Sequence, residues 1–160
     1  MTSAPDLRFG TDLLVVPHMA AHDAAALDLE RTARVRRRVR PGEPDTLADL
    51  VTVAGRENVA QALLLRLLTA RGTLAALGHA DYGSRLIELI GRGKTEELRH
   101  LCRAFVLEAV AQEPRVRPKA VEFRFEREQE QIDSFVFTLS VQPISPADAA
   151  AISLQLEVGL

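Results

Sequence analysis

Gln112-Glu113-Pro114-Arg115-Val116 marks the place where one hydrophobic period ends and another begins. Upstream, Leu98, Leu101, Cys102, Phe105, Val106, Ala109 and Val110 recur at helical spacing, which predicts a helix with one core-facing stripe. Thr95 is placed to cap that helix, and Glu96 and Glu97 complement the positive end of its dipole. Downstream the period becomes two. Val121, Phe123 and Phe125 alternate with Glu122, Arg124 and Glu126. Phe135, Phe137, Leu139 and Val141 alternate with Val136, Thr138 and Ser140. With the polar segment 127–133 between them, these runs predict an antiparallel hairpin with one apolar face. Beyond Pro143 and Pro146, Ile152, Leu154, Leu156 and Val158 alternate again and predict a third strand.

Pro114 removes a backbone donor and pushes Glu113 out of helical geometry. The sequence therefore predicts a short extended connector. Side chains two apart on an extended chain share a side, so Glu113 and Arg115 are expected to form one charged face beside the sheet.

Before the long helix, Val59, Leu63, Leu64, Leu67 and Leu68 follow helical spacing, with Arg56, Gln61 and Arg66 available for the wet side and Gly72 as a stop. Gly83 and Ser84 are read as opening a short helix that buries Leu86, Ile87, Leu89 and Ile90 and ends at Gly91-Arg92-Gly93. In the turn Tyr82-Gly83-Ser84, Gly83 supplies a backbone angle closed to other residues and Tyr82 packs over a helix. Near the start, Leu13-Leu14-Val15-Val16 reads as a strand ended by Pro17, and residues 20–39 as a peripheral helix or insertion. Pro41-Gly42-Glu43-Pro44 is a break. The expected fold is α+β, with about three helices packed on a small antiparallel sheet. The organisation is an Arg-rich N-terminal extension (1–44), a core domain (45–142) and a C-terminal strand or tail (143–160).

The 160 residues suffice for one domain with its own core, and 47% hydrophobic with 26% charged residues describes a globular chain. A net charge of −2 argues against global attraction to nucleic acid or anionic lipid. Arg31, Arg34, Arg36, Arg37, Arg38 and Arg40 crowd one window, but no aromatic residues interleave there to stack bases. No nucleic-acid partner is expected. Cys102 is alone, so no disulfide framework exists and a reducing compartment fits. His18, His22, His79 and His100 form no metal-ligand pattern, and no phosphate loop or nucleophile elbow occurs, so no metal, cofactor or catalytic residue is expected. The first residues lack the pattern of a signal peptide and no run reaches membrane-spanning length, so a cytoplasmic protein without membrane insertion is expected.

The order of helices, Glu-Pro-Arg and hairpin resembles the baseplate wedge and sheath-initiator family of contractile phage tails, whose kin include the TssE component of type VI secretion. Four pieces carry the resemblance: residues 58–69 followed by Gly72; Asp81-Tyr82-Gly83-Ser84-Arg85-Leu86; the helix ahead of Glu113-Pro114-Arg115; and the strands at 121–126 and 135–141. Together they cover roughly residues 45–141; the Arg-rich residues 20–44 have no counterpart. The resemblance implies a structural, non-enzymatic component of a contractile injection system, present in six copies. It would link the wedge proteins, and the central hub or spike, to the first sheath ring. Glu113, Pro114 and Arg115 would be a partner-facing clamp on the wedge. Strands carrying Phe135, Phe137, Leu139 and Val141 and Ile152, Leu154, Leu156 and Val158 would offer an open edge to sheath protein by strand addition. Two further readings are a lysozyme-like hydrolase using carboxylates among Glu108, Glu113, Glu122 and Asp133, and a basic-patch nucleic-acid binder. The first needs two carboxylates flanking a cleft; the sequence pairs none of them.

Overall fold

The fold follows from two apolar surfaces that need each other: the stripe of one helix and the inner face of one sheet. A computed structural model describes residues 9–18, 26–29, 31–35, 46–144 and 151–160. Their order is β1 (Thr11–Leu13), β2 (Val15–His18), β3 (Ala26–Leu29), β4 (Arg31–Val35), β5 (Thr46–Leu50), β6 (Thr52–Ala54), α1 (Arg56–Leu68), α2 (Glu96–Ala111), β7 (Val116–Phe125), β8 (Ser134–Pro143) and β9 (Ile152–Gly159). The chain is α+β, as expected. Arg36, Arg37, Arg38 and Arg40, the break at 41–44 and Pro146 lie outside the described residues.

The helix α2 forms where its periodicity placed it. The Thr95 hydroxyl accepts a hydrogen bond from Leu98 N at 3.2 Å, and Glu96 and Glu97 occupy the first turn. Leu98, Cys102, Phe105, Val106, Ala109 and Val110 are buried; Leu101, also expected in the stripe, is 39% exposed. Cys102 is wholly enclosed, and burial pushes its thiol up to about 12, so it is a neutral core residue at ordinary pH.

The sheet runs in the order β7-β8-β9, antiparallel throughout. Register places Phe123 opposite Leu139, Phe125 opposite Phe137, and Leu156 opposite Phe137 on the other side. Alternation then puts Val121, Phe123, Phe125, Phe135, Phe137, Leu139, Val141, Ile152, Leu154, Leu156 and Val158 on one face. Phe135, Phe137, Leu139 and Val141 are fully buried in one cluster with α1 and α2. Phe123 stacks on Phe137 with ring centroids 4.9 Å apart. The Val116–Pro143 pairing gives way to Val121–Val141, so β7 carries three more residues than its partner and bulges there.

An ion cluster ties the start of α2 to the hairpin loop. The Arg99 side chain is 9% exposed and the Glu130 side chain 4%, and they pair through both guanidinium nitrogens, with Lys94 Nζ 3.0 Å from Glu130. The Arg99 guanidinium lies 4.7 Å and 4.5 Å from the ring centroids of Phe125 and Phe135. A cation so placed gains from the ring faces and from the carboxylate together.

Three differences from the sequence reading have physical causes. Two α-helices form among the described residues where about three helices were expected. The segment opened by Ser84 is a single 3-10 turn, Leu86–Leu89, bounded too closely by glycines to extend; Leu86 and Leu89 are buried, but Ile87 and Ile90 are exposed. Within 20–39, described residues form β3 and β4 rather than a peripheral helix. Helix-favouring composition yields there to strand pairing: β3 pairs with β2 and β4 with β5, while β1 pairs with β6. Pro17 lies inside β2 instead of ending it.

The Glu130 carboxyl is held down to about 2, first by the Arg99 hydrogen bonds and then, against the cost of burial, by Lys94. A carboxyl depressed in the folded state adds stability above its unfolded pKa, near 4.3, and that stability is lost as pH falls through the folded value. Urea unfolding measured from pH 6 to pH 2 should show this loss. Glu130→Gln should lose about 2 kcal/mol at neutral pH and flatten the acid limb, a magnitude typical of charged hydrogen bonds.

Candidate functional site

The elbow after α2 is a β-turn, not an extended connector. Val116 N donates to Glu113 O at 3.1 Å and closes the turn around Pro114, which suits the second turn position. Glu113 N still donates to Val110 O at 3.0 Å, so the helix ends only here. Glu113 folds back over the turn: its Oε1 accepts from Arg115 Nε at 2.6 Å and Arg115 N at 3.3 Å, and its Oε2 accepts from Nη2 at 3.2 Å. Burial would raise the Glu113 carboxyl, but the Arg115 hydrogen bonds and charge outweigh it and hold the group below the usual carboxylate range.

This geometry corrects the expectation of a partner-facing Glu113–Arg115 pair. Glu113 is 5% exposed, and the remaining Arg115 nitrogen, Nη1, donates to Phe9 O at 3.0 Å. A turn brings i and i+2 together where an extended chain would have set them side by side toward solvent. The pair therefore grips the chain's own N-terminal segment.

Two residues of α1 complete that grip, and sequence reasoning missed both. Asn58 Nδ2 donates to Phe9 O at 2.9 Å. Gln61 Nε2 donates to Leu13 O at 2.8 Å, and its Oε1 accepts from Val15 N at 2.9 Å. Gln61, expected on the wet side, is buried, as is Asn58. The available signal was their position: polar residues three apart, flanking Val59 on the stripe side of the helix. Phe9 itself is buried in the main core.

The turn Tyr82-Gly83-Ser84 lies beside this elbow. The Arg66 guanidinium sits 4.5 Å from the Tyr82 ring centroid and donates through Nη1 to Gln112 Oε1 at 3.2 Å. Burial raises the Tyr82 phenol, and the charges of Arg66, Glu113 and Arg115 also reach it. Gly83 has φ +109°, and a Cβ there would stand 2.6 Å from Thr69 O, so glycine is required. Ser84 stitches this turn to the end of α1: Ser84 N donates to Thr69 O at 2.8 Å and its hydroxyl donates to Leu67 O at 2.7 Å.

The second candidate surface is the sheet rim. Phe135, Phe137, Leu139 and Val141 cannot offer an open edge, because β8 is the central strand with β7 on one side and β9 on the other. The chain's own last strand covers the edge that the hairpin alone would expose. The sheet has two edge strands, β7, which carries the bulge, and the regular β9, and β9 is the candidate rim. Leu160 N donates to Asp133 O at 2.7 Å, so by alternation Ile152, Leu154, Leu156 and Val158 turn their main-chain groups to β8. Ser153, Gln155, Glu157 and Gly159 turn theirs outward. Beside this rim an apolar crevice of about 230 Å³ is lined by Leu67, Leu68, Leu86, Ile87, Ile90 and Val158, with Ile87 59% and Ile90 62% exposed.

The carboxylates nominated for hydrolysis are not gathered into one cleft. Glu113 is spent on Arg115, Glu108 pairs with Arg71 on the exposed side of α2, Glu122 lies on the polar face of the sheet, and Asp133 is exposed just ahead of β8. Among the described residues, no group of three or more His, Cys, Asp or Glu could hold a metal ion, and no helix is long and apolar enough to cross a membrane.

Arg115→Ala would leave the buried Glu113 carboxylate without its partner. It should cost about 3 kcal/mol in urea unfolding, as for other broken buried pairs, and speed amide exchange within residues 9–15. Arg115→Lys, which cannot reach Glu113 and Phe9 in the same forked way, should recover only part of the loss. Comparison of the chain with protein-family models, with curated proteins and with solved structures found no match.

Proposed function

We propose that the chain is a structural component of the baseplate of a contractile tail or injection system, which starts sheath assembly by lending a strand edge to a sheath protein. The observation that carries this reading is the rim of β9, whose outward main-chain groups at Ser153, Gln155, Glu157 and Gly159 stand beside an apolar crevice. Main-chain groups at such a rim supply affinity to an added strand, and a neighbouring crevice supplies selectivity by taking its alternate side chains. The order of the two helices, the Glu113-Pro114-Arg115 turn and the following strands accords with the family resemblance drawn from the sequence.

In this reading Ile152, Leu154, Leu156 and Val158 hold the rim in place from the core side, and Phe135, Phe137, Leu139 and Val141 anchor it. The elbow contributes by fixing the N-terminal segment and the end of α2, so that wedge proteins meet a rigid surface. Wedge, hub or spike, and sheath proteins in six copies around a tail axis are the partners this role requires.

Deleting residues 151–160 would strip the cover from β8 and expose core phenylalanines, so that truncation confounds folding with assembly. Gln155→Pro separates them. Its N–H points outward, so proline removes a rim donor and no bond of the β8–β9 ladder. Thermal unfolding should shift by less than about 1 kcal/mol in stability, while co-assembly with a sheath protein should be lost. Normal sheath formation by a folded Gln155→Pro chain would remove the proposal.

A further inference from the structure

The bulge in β7 leaves a groove between that strand and α2. From Val116 to Val121 the strand departs from its ladder with β8, and Pro118 stands exposed in the middle of that departure. Leu107, Val110 and Ala111 of α2, with Val116, Pro118 and Val121 of β7, line a cavity of about 290 Å³. Ala111 is exposed and Leu107 and Val121 are half-buried, so apolar surface there still meets water. Cations border this floor. Arg117 and Lys119 flank Pro118, and Arg103, one helical turn ahead of Leu107, lies 6.0 Å from the ring centroid of Phe123. All three are exposed, and the ion pairs of the described residues include none of them. The acids beside them in sequence are engaged or turned away: Glu108 pairs with Arg71, Glu113 pairs with Arg115, and Glu122 faces away from Val121 across the sheet.

We propose that this groove docks an acidic helix of a partner protein, anchored by a large apolar side chain and oriented by carboxylates against Arg103, Arg117 and Lys119. An apolar floor inside a charged rim is the anatomy of a protein interface, and a rim of one sign selects a partner of the other. Strand addition is barred at this place, because Pro118 has no N–H to donate and the bulge breaks the outward row of main-chain groups. A helix docks through side chains and needs neither. An anionic lipid surface fits poorly, since the apolar floor is recessed and only a protruding side chain reaches it. Nucleic acid fits poorly as well, because the adjacent Phe123 ring is half-buried and offers no open face to a base. The inference is independent of the baseplate reading: it uses the β7 side of the sheet, and that reading uses the β9 rim.

The test is fluorescence anisotropy with the full chain and a labelled helical peptide, leucine at i and i+4 and glutamate and alanine elsewhere. Binding should be saturable and should weaken at least about tenfold between about 50 and 500 mM NaCl. Lysine in place of the glutamates, or alanine in place of the leucines, should abolish it. Arg103→Glu and Lys119→Glu alter exposed side chains, should unfold at the native temperature, and should each weaken binding about tenfold. Ala111→Leu suits the helix and fills the groove, so it should abolish binding. Should Ala111→Leu destabilise the chain, the two charge reversals decide. A native chain that binds the acidic peptide no better than the controls, or variants that bind it as the native chain does, overturns the proposal. A native chain that self-associates in sedimentation and disperses with Ala111→Leu gives the groove to a second copy and overturns the partner helix.

Discussion

The inner face of β8 is the constraint on which the remaining structure depends. Phe135, Phe137, Leu139 and Val141 are each wholly withdrawn from solvent. Burial of a large apolar side chain is worth roughly 1.5–3 kcal/mol, so this one strand face contributes more than any single polar contact among the described residues. Such a strand cannot stand at an edge. It needs a strand on each side to satisfy its backbone and a helix stripe above it to cover its side chains. The chain supplies β7, β9 and α2 for these purposes. The open rim at β9 is a consequence of that demand, since the strands added on either side of β8 each keep one unpaired edge.

The polar features arrange themselves around the same core. Arg99 closes its α2 end, lying over Phe125 and Phe135 and bonded to Glu130. Arg115 closes the opposite end of that helix, bonded to Glu113 and to the backbone of Phe9. Each arginine exploits a planar fork that can meet a carboxylate and a second group at once, a task lysine performs poorly. The two ends of α2 are thus fixed by similar chemistry, though only the second was visible as a motif.

Much of the fold was legible because its signals were local and periodic. The α2 stripe and the alternation of 121–125, 135–141 and 152–158 each follow from side-chain direction along one element. Strand order was less legible: nothing in the alternation of Phe135 to Val141 says which neighbour lies beyond it, so the hairpin was read as leaving an edge that β9 in fact covers. The junction of β1 to β6 was not legible, because its pairings join residues up to 43 positions apart, as Thr11 with Ala54, in a segment of helix-favouring composition. At the elbow the residue types were read correctly and their direction was not. Proline after an acidic residue is compatible with an extended chain or a turn, and the carbonyl of Phe9, distant in sequence, selects the turn's inward arrangement.

Cys102 gives the molecule a built-in clock. It is the sole thiol of the chain, it has no exposed surface, and it sits under the stripe that the whole core shares. Alkylating reagents can reach it only when α2 lifts from the sheet, so the pace of its modification measures how often the centre of the protein breathes, while fraying of the N-terminal ladders leaves it untouched.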